Sequence, residues 1–95
     1  MSYIDEISSI IKNNKIKEKY WLKNIRIFGS YAKWLNTKKS DIDFLVDYKK
    51  PLDIVLYFSL KKELEKLFWK KIDIINNKFL QDKFKNYIKN DLINI

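Results

Sequence analysis

The residues of this chain best suited to chemistry are three aspartates on two short apolar segments. Asp41 and Asp43 stand two residues apart in DIDFLV, so in a β-strand both carboxylates point to one face. Asp73 lies in the similar segment KIDII and joins them if the two strands are neighbours. Carboxylates crowded on one face repel each other, and a divalent cation relieves that repulsion. The pattern predicts a magnesium site with room for two ions, an arrangement suited to in-line phosphoryl transfer. The alternative, surface ion pairs with lysines, stays open.

The only glycine of the chain, Gly29, is followed by Ser30, and ten residues separate Ser30 from Asp41. Gly29 separates a predicted strand from a predicted helix, where it can adopt a positive φ and let a ligand approach the backbone. The Ser30 hydroxyl and the amides that follow it can donate to a phosphate. The two residues predict a phosphate-binding turn, with an ordinary capped turn as the alternative.

The composition excludes several classes of enzyme. The chain has no cysteine and no histidine, so a Ser-His-Asp triad and a Cys/His zinc site are ruled out. With a single glycine, neither a dinucleotide-binding fingerprint nor a Walker A loop can be formed. Chemistry is left to carboxylates, hydroxyls, lysines and a hard metal ion.

The net charge of +8 raises the question of nucleic-acid binding. All but one of the basic residues are lysines, Arg26 being the exception, whereas a groove-reading protein favours arginine. This balance favours a solvated lysine surface and leaves nucleic-acid binding as an alternative. No segment resembles a signal peptide or a membrane span, so we expect a cytoplasmic protein with no membrane partner.

Apolar spacing predicts an α+β (α/β) fold with a sheet covered by helices, in the order α-β-α-β-α-β-α. Pro51 is expected to open the third helix. The apolar run at 54–58 is either buried on two sides or extends into an interface. The last helix is expected to place Leu80, Phe84, Tyr87, Ile88 and Leu92 on its apolar side. The predicted helices cover 2–19, 30–35, 52–69 and 78–93, the predicted strands cover 24–28, 41–46 and 71–75, and 36–40 is a turn.

The run GSYAKWLNTKKSDIDFLV resembles the signature of the minimal nucleotidyltransferases, small members of the DNA polymerase beta-like superfamily. That signature is an apolar residue, Gly, Gly or Ser, a spacer of ten or so, and Asp-x-Asp/Glu between apolar residues. Asp73 in KIDII matches the family's third acidic position. The segments KKELEKLFWKKIDII and YIKNDLINI resemble the family's later helices, so the similarity extends from about residue 24 to the C-terminus.

The resemblance implies one nucleotidyltransferase domain over residues 1–95, with a palm-like mixed sheet flanked by helices. It implies Mg²⁺-dependent transfer of a nucleotidyl group from ATP to an acceptor hydroxyl. Members this small, of the MntA type, act as antitoxins that move AMP onto a tyrosine of a HEPN ribonuclease toxin. A HEPN partner and homo- or hetero-oligomers are therefore expected. Two alternatives remain: a catalytically weak protein that blocks its partner sterically, and a basic nucleic-acid-binding module.

The resemblance also assigns roles to the site residues. Asp41 and Asp43 are expected to coordinate both metal ions, and Asp73 the metal nearer the acceptor, whose hydroxyl it helps to deprotonate. The terminal phosphates are expected to lie against three residues, Gly29, Ser30 and Lys33. The chain departs from the family at Lys33-Trp34, where Arg-Gly is usual, and at Trp69, where Gly is frequent.

Overall fold

The computed structural model describes residues 3–29, 31–33, 40–51 and 53–95. Within them, the chain forms four α-helices, a short 3₁₀ turn at Asn77–Phe79 and four β-strands. In chain order the elements are α1 (Tyr3–Asn13), α2 (Ile16–Lys19), β1 (Leu22–Phe28), β2 (Ile42–Tyr48), α3 (Ile54–Phe68), β3 (Ile72–Asn76), α4 (Asp82–Ile88) and β4 (Ile93–Asn94).

The four strands form one mixed sheet in the order β3-β2-β1-β4. β1 runs antiparallel to both β2 and β4, while β2 and β3 run parallel to each other. The parallel pair is connected through α3, because parallel neighbours need a crossover between them. The predicted class, a mixed sheet with flanking helices, is confirmed.

One face of the sheet, here called the core face, is closed by helices. Alternate residues of β2, namely Ile42, Phe44 and Val46, point to this face and are fully buried. They pack with side chains of α1, α2 and α3 in the larger of two apolar clusters. Burial of this apolar surface supplies most of the stability of so small a domain. The helical side chains of the cluster include Ile7, Ile11, Ile16, Leu60 and Leu64.

The opposite face, here called the site face, carries both polar and apolar side chains. Leu45 of β2 and Phe28 of β1 are buried there against Ile88 of α4 in a smaller cluster. Asp43 and Asp47 share this face, because they alternate with the core residues of the same strand. Asp47 forms an ion pair with Arg26, the only arginine of the chain.

Helix α3 begins differently from the prediction. Its N-cap is Asp53, whose Oδ1 accepts hydrogen bonds from the amides of Val55 (2.8 Å) and Leu56 (3.2 Å). The prediction that Pro51 opens the helix is therefore wrong. Burial of the apolar run on two sides is also wrong, because Ile54, Val55 and Phe58 are 67%, 71% and 61% exposed. The first turns of α3 thus present an apolar surface to solvent.

The C-terminal segment is the largest departure from the prediction. The helix predicted over 78–93 is limited to Asp82–Ile88, and the chain then turns, with the Asp91 amide donating to the Ile88 carbonyl (2.9 Å). Ile93–Asn94 pairs with β1 as the edge strand β4. Sheet pairing prevails here because it satisfies backbone groups at the edge of β1.

Three further predictions concern the loops and the N-terminal helix. The helix predicted over 2–19 breaks at Asn14 and Lys15, the latter at a positive φ of 51°. Of the helix predicted over 30–35, residues 31–33 form a turn, and the remainder lies outside the described residues, as does most of the turn predicted over 36–40.

Among the described helices, none combines the length and the hydropathy needed to cross a membrane.

Candidate active site

The strand register brings two of the predicted aspartates face to face. Asp43 is the second residue of β2 and Asp73 the second residue of β3, and the two are direct partners across the parallel pair. Their carboxyl groups are close enough for Asp73 to raise the pKa of Asp43. Asp41 lies just before β2, beside the backbone bond from the Ile42 amide to the Lys71 carbonyl (3.1 Å). The expectation that the two strands are neighbours is confirmed.

The electrostatics of Asp43 reflect this crowding. Burial raises the pKa of Asp43 to about 6, and three contributions from neighbours act in the same direction. They are the hydrogen bond to Asp73, the charge of Asp73 and the charge of Asp41. The fold therefore concentrates negative charge at the start of β2, as a site that receives a cation requires.

Gly29 lies against the same carboxylate. It follows β1 directly with a φ of 77°, and a Cβ built on it would lie 2.2 Å from Oδ2 of Asp43. Any other residue there would be strained by the backbone and would collide with the Asp43 side chain. The predicted positive φ of Gly29 is confirmed, and the neighbour that requires the absence of a side chain is the Asp43 carboxylate, while close approach of a phosphate stays a prediction.

The turn after Gly29 holds Lys33 beside the C-terminal segment. The Lys33 amide donates to the Gly29 carbonyl (3.1 Å), and the Lys33 ammonium lies 3.6 Å from Oδ2 of Asp91. The same ammonium is 5.5 Å from the centre of the Tyr87 ring. Ser30 and Trp34 lie outside the described residues. A cation is therefore available within one turn of the predicted phosphate site.

The sequence was compared with families of known proteins. Residues 7–95 match the family described as the nucleotidyltransferase domain. The chain belongs to this family. The resemblance inferred from the spacing of Gly29, Asp41, Asp43 and Asp73 is thereby confirmed for the nucleotidyltransferase family, and the protein is a nucleotidyltransferase.

Curated relatives of this nucleotidyltransferase carry a more specific name. A Methanocaldococcus jannaschii protein, provisionally named a protein adenylyltransferase, is 39% identical over 98 residues, covering 100% of both chains. The protein adenylyltransferase MntA of Thermococcus cleftensis is 30% identical over 77 residues, covering 79% of this chain and 78% of its own.

Solved structures share the fold at low identity. A protein provisionally identified as a minimal nucleotidyltransferase superposes with a TM-score of 0.82 at 21% identity, covering 100% of this chain and 97% of the other. A toxin–antitoxin structure with AMP-PNP gives a TM-score of 0.74 at 21% identity, covering 90% and 70%. A tri-AMPylated Shewanella oneidensis HEPN toxin in complex with its MNT antitoxin gives 0.65 at 20% identity, covering 90% and 66%.

The carboxylates of this nucleotidyltransferase fit Mg²⁺ in a particular way. Across the described ranges, no group of three or more acidic residues forms a ready-made metal cage. Mg²⁺ seldom needs one, because it is commonly held by one or two carboxylates together with water and substrate phosphates. The facing pair Asp43 and Asp73 supplies such ligands, and Asp41 adds charge beside them. The donor set therefore fits a magnesium ion that arrives with a triphosphate.

Two aromatic residues beside this site were assigned to the wrong environment. The sequence placed Phe84 and Tyr87 on the apolar side of the last helix, yet they are 40% and 72% exposed. The other three residues predicted on that side do pack inward, Ile88 from α4 itself and Leu80 and Leu92 from the segments that flank the helix. The i, i+3 spacing of the two aromatic residues was the available signal that they share a helix face.

Proposed function

We propose that this nucleotidyltransferase transfers AMP from ATP to a tyrosine hydroxyl of a HEPN ribonuclease toxin and thereby acts as its antitoxin. The observation that carries the proposal is the register of β2 and β3, which sets Asp43 against Asp73 beside Gly29. The names of the curated relatives and the AMPylated HEPN toxin of the Shewanella complex support a protein acceptor. The proposal treats residues 1–95 as one catalytic domain working in the cytoplasm.

The proposed reaction is an in-line displacement at phosphorus. The tyrosine oxygen of the partner forms a bond to the α-phosphorus of ATP, and the bond from that phosphorus to the bridging oxygen breaks. Pyrophosphate leaves with the bonding electrons, and the tyrosine proton passes to a carboxylate. Such a reaction depends on positioning and charge neutralisation rather than on a protein nucleophile, which agrees with the absence of cysteine and histidine.

Each predicted site residue has a part in this scheme. Asp41, Asp43 and Asp73 would hold Mg²⁺, which when bound neutralises charge on the triphosphate. Asp73 accepts the proton of the attacking hydroxyl. The backbone at Gly29 and the hydroxyl of Ser30 are assigned to the terminal phosphates, because a glycine lets a phosphate approach the backbone and a hydroxyl can donate to it.

The same proposal gives a role to the exposed start of α3. Ile54, Val55 and Phe58 form an apolar surface at one end of the helix, and such surfaces mark sites of protein association. We assign this surface to the toxin. It equally favours the second candidate function, steric neutralisation of the partner without transfer.

The experiment is a labelling assay with the product of the neighbouring reading frame, which the proposal expects to be a HEPN protein. Wild type, Asp43→Asn and Asp53→Asn are each incubated with that partner, Mg²⁺ and ATP labelled at the α-phosphate. Asp53→Asn is the matched control, because asparagine also caps a helix and Asp53 lies beyond the far end of β2.

The proposal predicts label on a partner tyrosine with wild type and Asp53→Asn, and none with Asp43→Asn. Equal suppression of the toxin by all three proteins without label would establish steric neutralisation instead. Salt-dependent binding of RNA or DNA, with no transfer and no requirement for metal, would identify the nucleic-acid-binding module.

A further inference from the structure

The two exposed aromatic rings of α4 form a surface that the proposed reaction has not used. The rings of Phe84 and Tyr87 are nearly parallel, with 24° between their planes and 6.3 Å between their centres. Together with Gln81 and Lys83 they line an open pocket. Two large rings exposed to solvent do not contribute the hydrophobic stabilisation that burial would give. A ligand with a flat apolar face would bury them, because the two rings are nearly parallel.

Two independent sets of contacts place this surface beside the catalytic carboxylates. Along the first, Phe84 packs edge-to-face on Phe28 (centres 6.4 Å apart), and Phe28 is the direct strand partner of Asp43. Along the second, Lys33 joins the Gly29 turn to the Tyr87 ring. The surface and the predicted triphosphate site therefore adjoin each other at one end of the sheet.

We infer that Tyr87, supported by Phe84, is the stacking platform for the base of the bound nucleoside triphosphate. This inference rests on the proposed function, whose ATP it positions. A nucleobase presents a flat π-face, and stacking on an aromatic ring contributes to binding whichever base is present. The triphosphate then extends from the platform, past Lys33, towards Gly29 and the aspartates.

Lys33 connects the two halves of this arrangement. Its ammonium contacts both the Asp91 carboxylate and the Tyr87 ring. A triphosphate carries more negative charge than Asp91 and draws the ammonium to its phosphates, which uncovers the ring for the base. Tyr87 is thus a binding residue that positions the substrate, and the chemical step remains with the aspartates.

The test compares ligands with and without a base. Isothermal titration measures the affinity of wild type, Tyr87→Leu and Tyr87→Phe for ATP and for inorganic tripolyphosphate, both with Mg²⁺. Phe79→Leu is the matched control, because Phe79 is a similarly exposed aromatic residue (66%) beyond the opposite end of β3. We expect Tyr87→Leu to weaken ATP binding about 10-fold and tripolyphosphate binding hardly at all. Tyr87→Phe and Phe79→Leu should bind both ligands like wild type.

A spectroscopic variant covers the case in which truncation disturbs α4. In Tyr87→Trp the new indole should be quenched by ATP and not by tripolyphosphate, measured as the difference from wild type. Equal weakening of both ligands by Tyr87→Leu, or no weakening of ATP, would overturn the platform while leaving the labelling assay intact. If the platform behaves as expected but no partner is labelled, the proposed transfer fails and the base site stands. Absence of any ATP binding by wild type overturns both.

Discussion

The two faces of the sheet divide the work of this small domain between them. On the core face, Ile42, Phe44 and Val46 are enclosed by helices α1 and α3 in the main apolar cluster. On the site face, Asp43 and Asp73 are set against each other, and α4 covers only the apolar middle of the sheet. Adjacent residues of β2 thus have different roles. Those on the core face stabilise the domain by burial, whereas the aspartates on the site face repel each other and are placed to bind a ligand.

This difference teaches where a substitution should act. A change on the core face removes packing and lowers the free energy of unfolding, with loss of activity as a consequence. A change at the carboxylates removes repulsion and lowers activity directly, with no loss of stability. The predictions below separate these two outcomes.

The largest expected effect is that of Phe44→Ala. Phe44 is fully buried and packs against Phe68, with ring centres 6.2 Å apart. We expect the free energy of unfolding to fall by about 3–5 kcal/mol, measured by urea denaturation. Its neighbour Leu45, buried in the smaller cluster on the site face, provides the comparison. Leu45→Ala should cost less, about 2–3 kcal/mol, and a larger cost for Leu45 would reverse the assignment of the two faces.

The next effect is that of Gly29→Ala. The new methyl group would press on the Asp43 carboxylate, and its backbone would be held at a strained φ. We expect a loss of stability of about 1–2 kcal/mol, because a non-glycine residue is disfavoured in that conformation. Displacement of the carboxylate should slow AMP transfer about 100-fold. A variant that transfers AMP at the wild-type rate would show that Asp43 tolerates displacement.

A smaller effect, of opposite sign, is expected for Trp69→Gly. Trp69 ends α3 at a φ of 55° and is 91% exposed. Its left-handed backbone conformation is therefore strained, and burial of the side chain does not compensate for that strain. Glycine should raise the free energy of unfolding by about 0.5–1 kcal/mol. Trp69→Ala is the control, because it removes the ring and keeps the strain. An equal gain from both variants would assign the effect to the ring.

The smallest effect concerns pH. Since burial and its contact with Asp73 raise the pKa of Asp43 to about 6, the folded state binds that proton more tightly than the unfolded chain does. The resulting stabilisation is complete at low pH and is lost as the pH rises through about 6. In EDTA, wild type should therefore lose stability relative to Asp43→Asn as the pH rises from the ordinary pKa of 3.8 to about 6, with a constant difference above that. Parallel curves would mean that Asp43 titrates normally.

The sequence was sufficient for the elements whose pattern is local. The alternation in DIDFLV and KIDII predicted β2 and β3, and it implied that Asp73 joins the aspartate pair if the two strands are neighbours, which they are. It was also sufficient for the glycine turn, because only one position in the chain offers that conformational freedom without strain. The family followed from the same few residues, since their spacing is specific.

The sequence did not predict local structure correctly where contacts with residues distant in the chain determine it. Ile93 lies at the end of the helix predicted over 78–93, and its pairing with Ile27 of β1 makes it a strand residue instead. The exposure of Tyr87 depends on how α4 is oriented by Ile88, which local spacing does not determine. At the start of α3, the sequence prediction used Pro51, whereas the side-chain cap of Asp53 sets the first residue of the helix.

The central claim is that repulsion between the clustered carboxylates lowers the stability of the free protein, and that the same carboxylates bind Mg²⁺ and ATP. Thermal unfolding of wild type and Asp43→Asn tests this claim most directly. Each protein is unfolded in EDTA and in Mg²⁺ with saturating ATP, since a ligand of the folded state raises Tm. We predict that Asp43→Asn matches or exceeds the wild-type Tm in EDTA at pH 7.5 and loses the rise that Mg²⁺ and ATP give to wild type. A lower Tm for Asp43→Asn in EDTA, or an undiminished rise with ligand, would contradict the account.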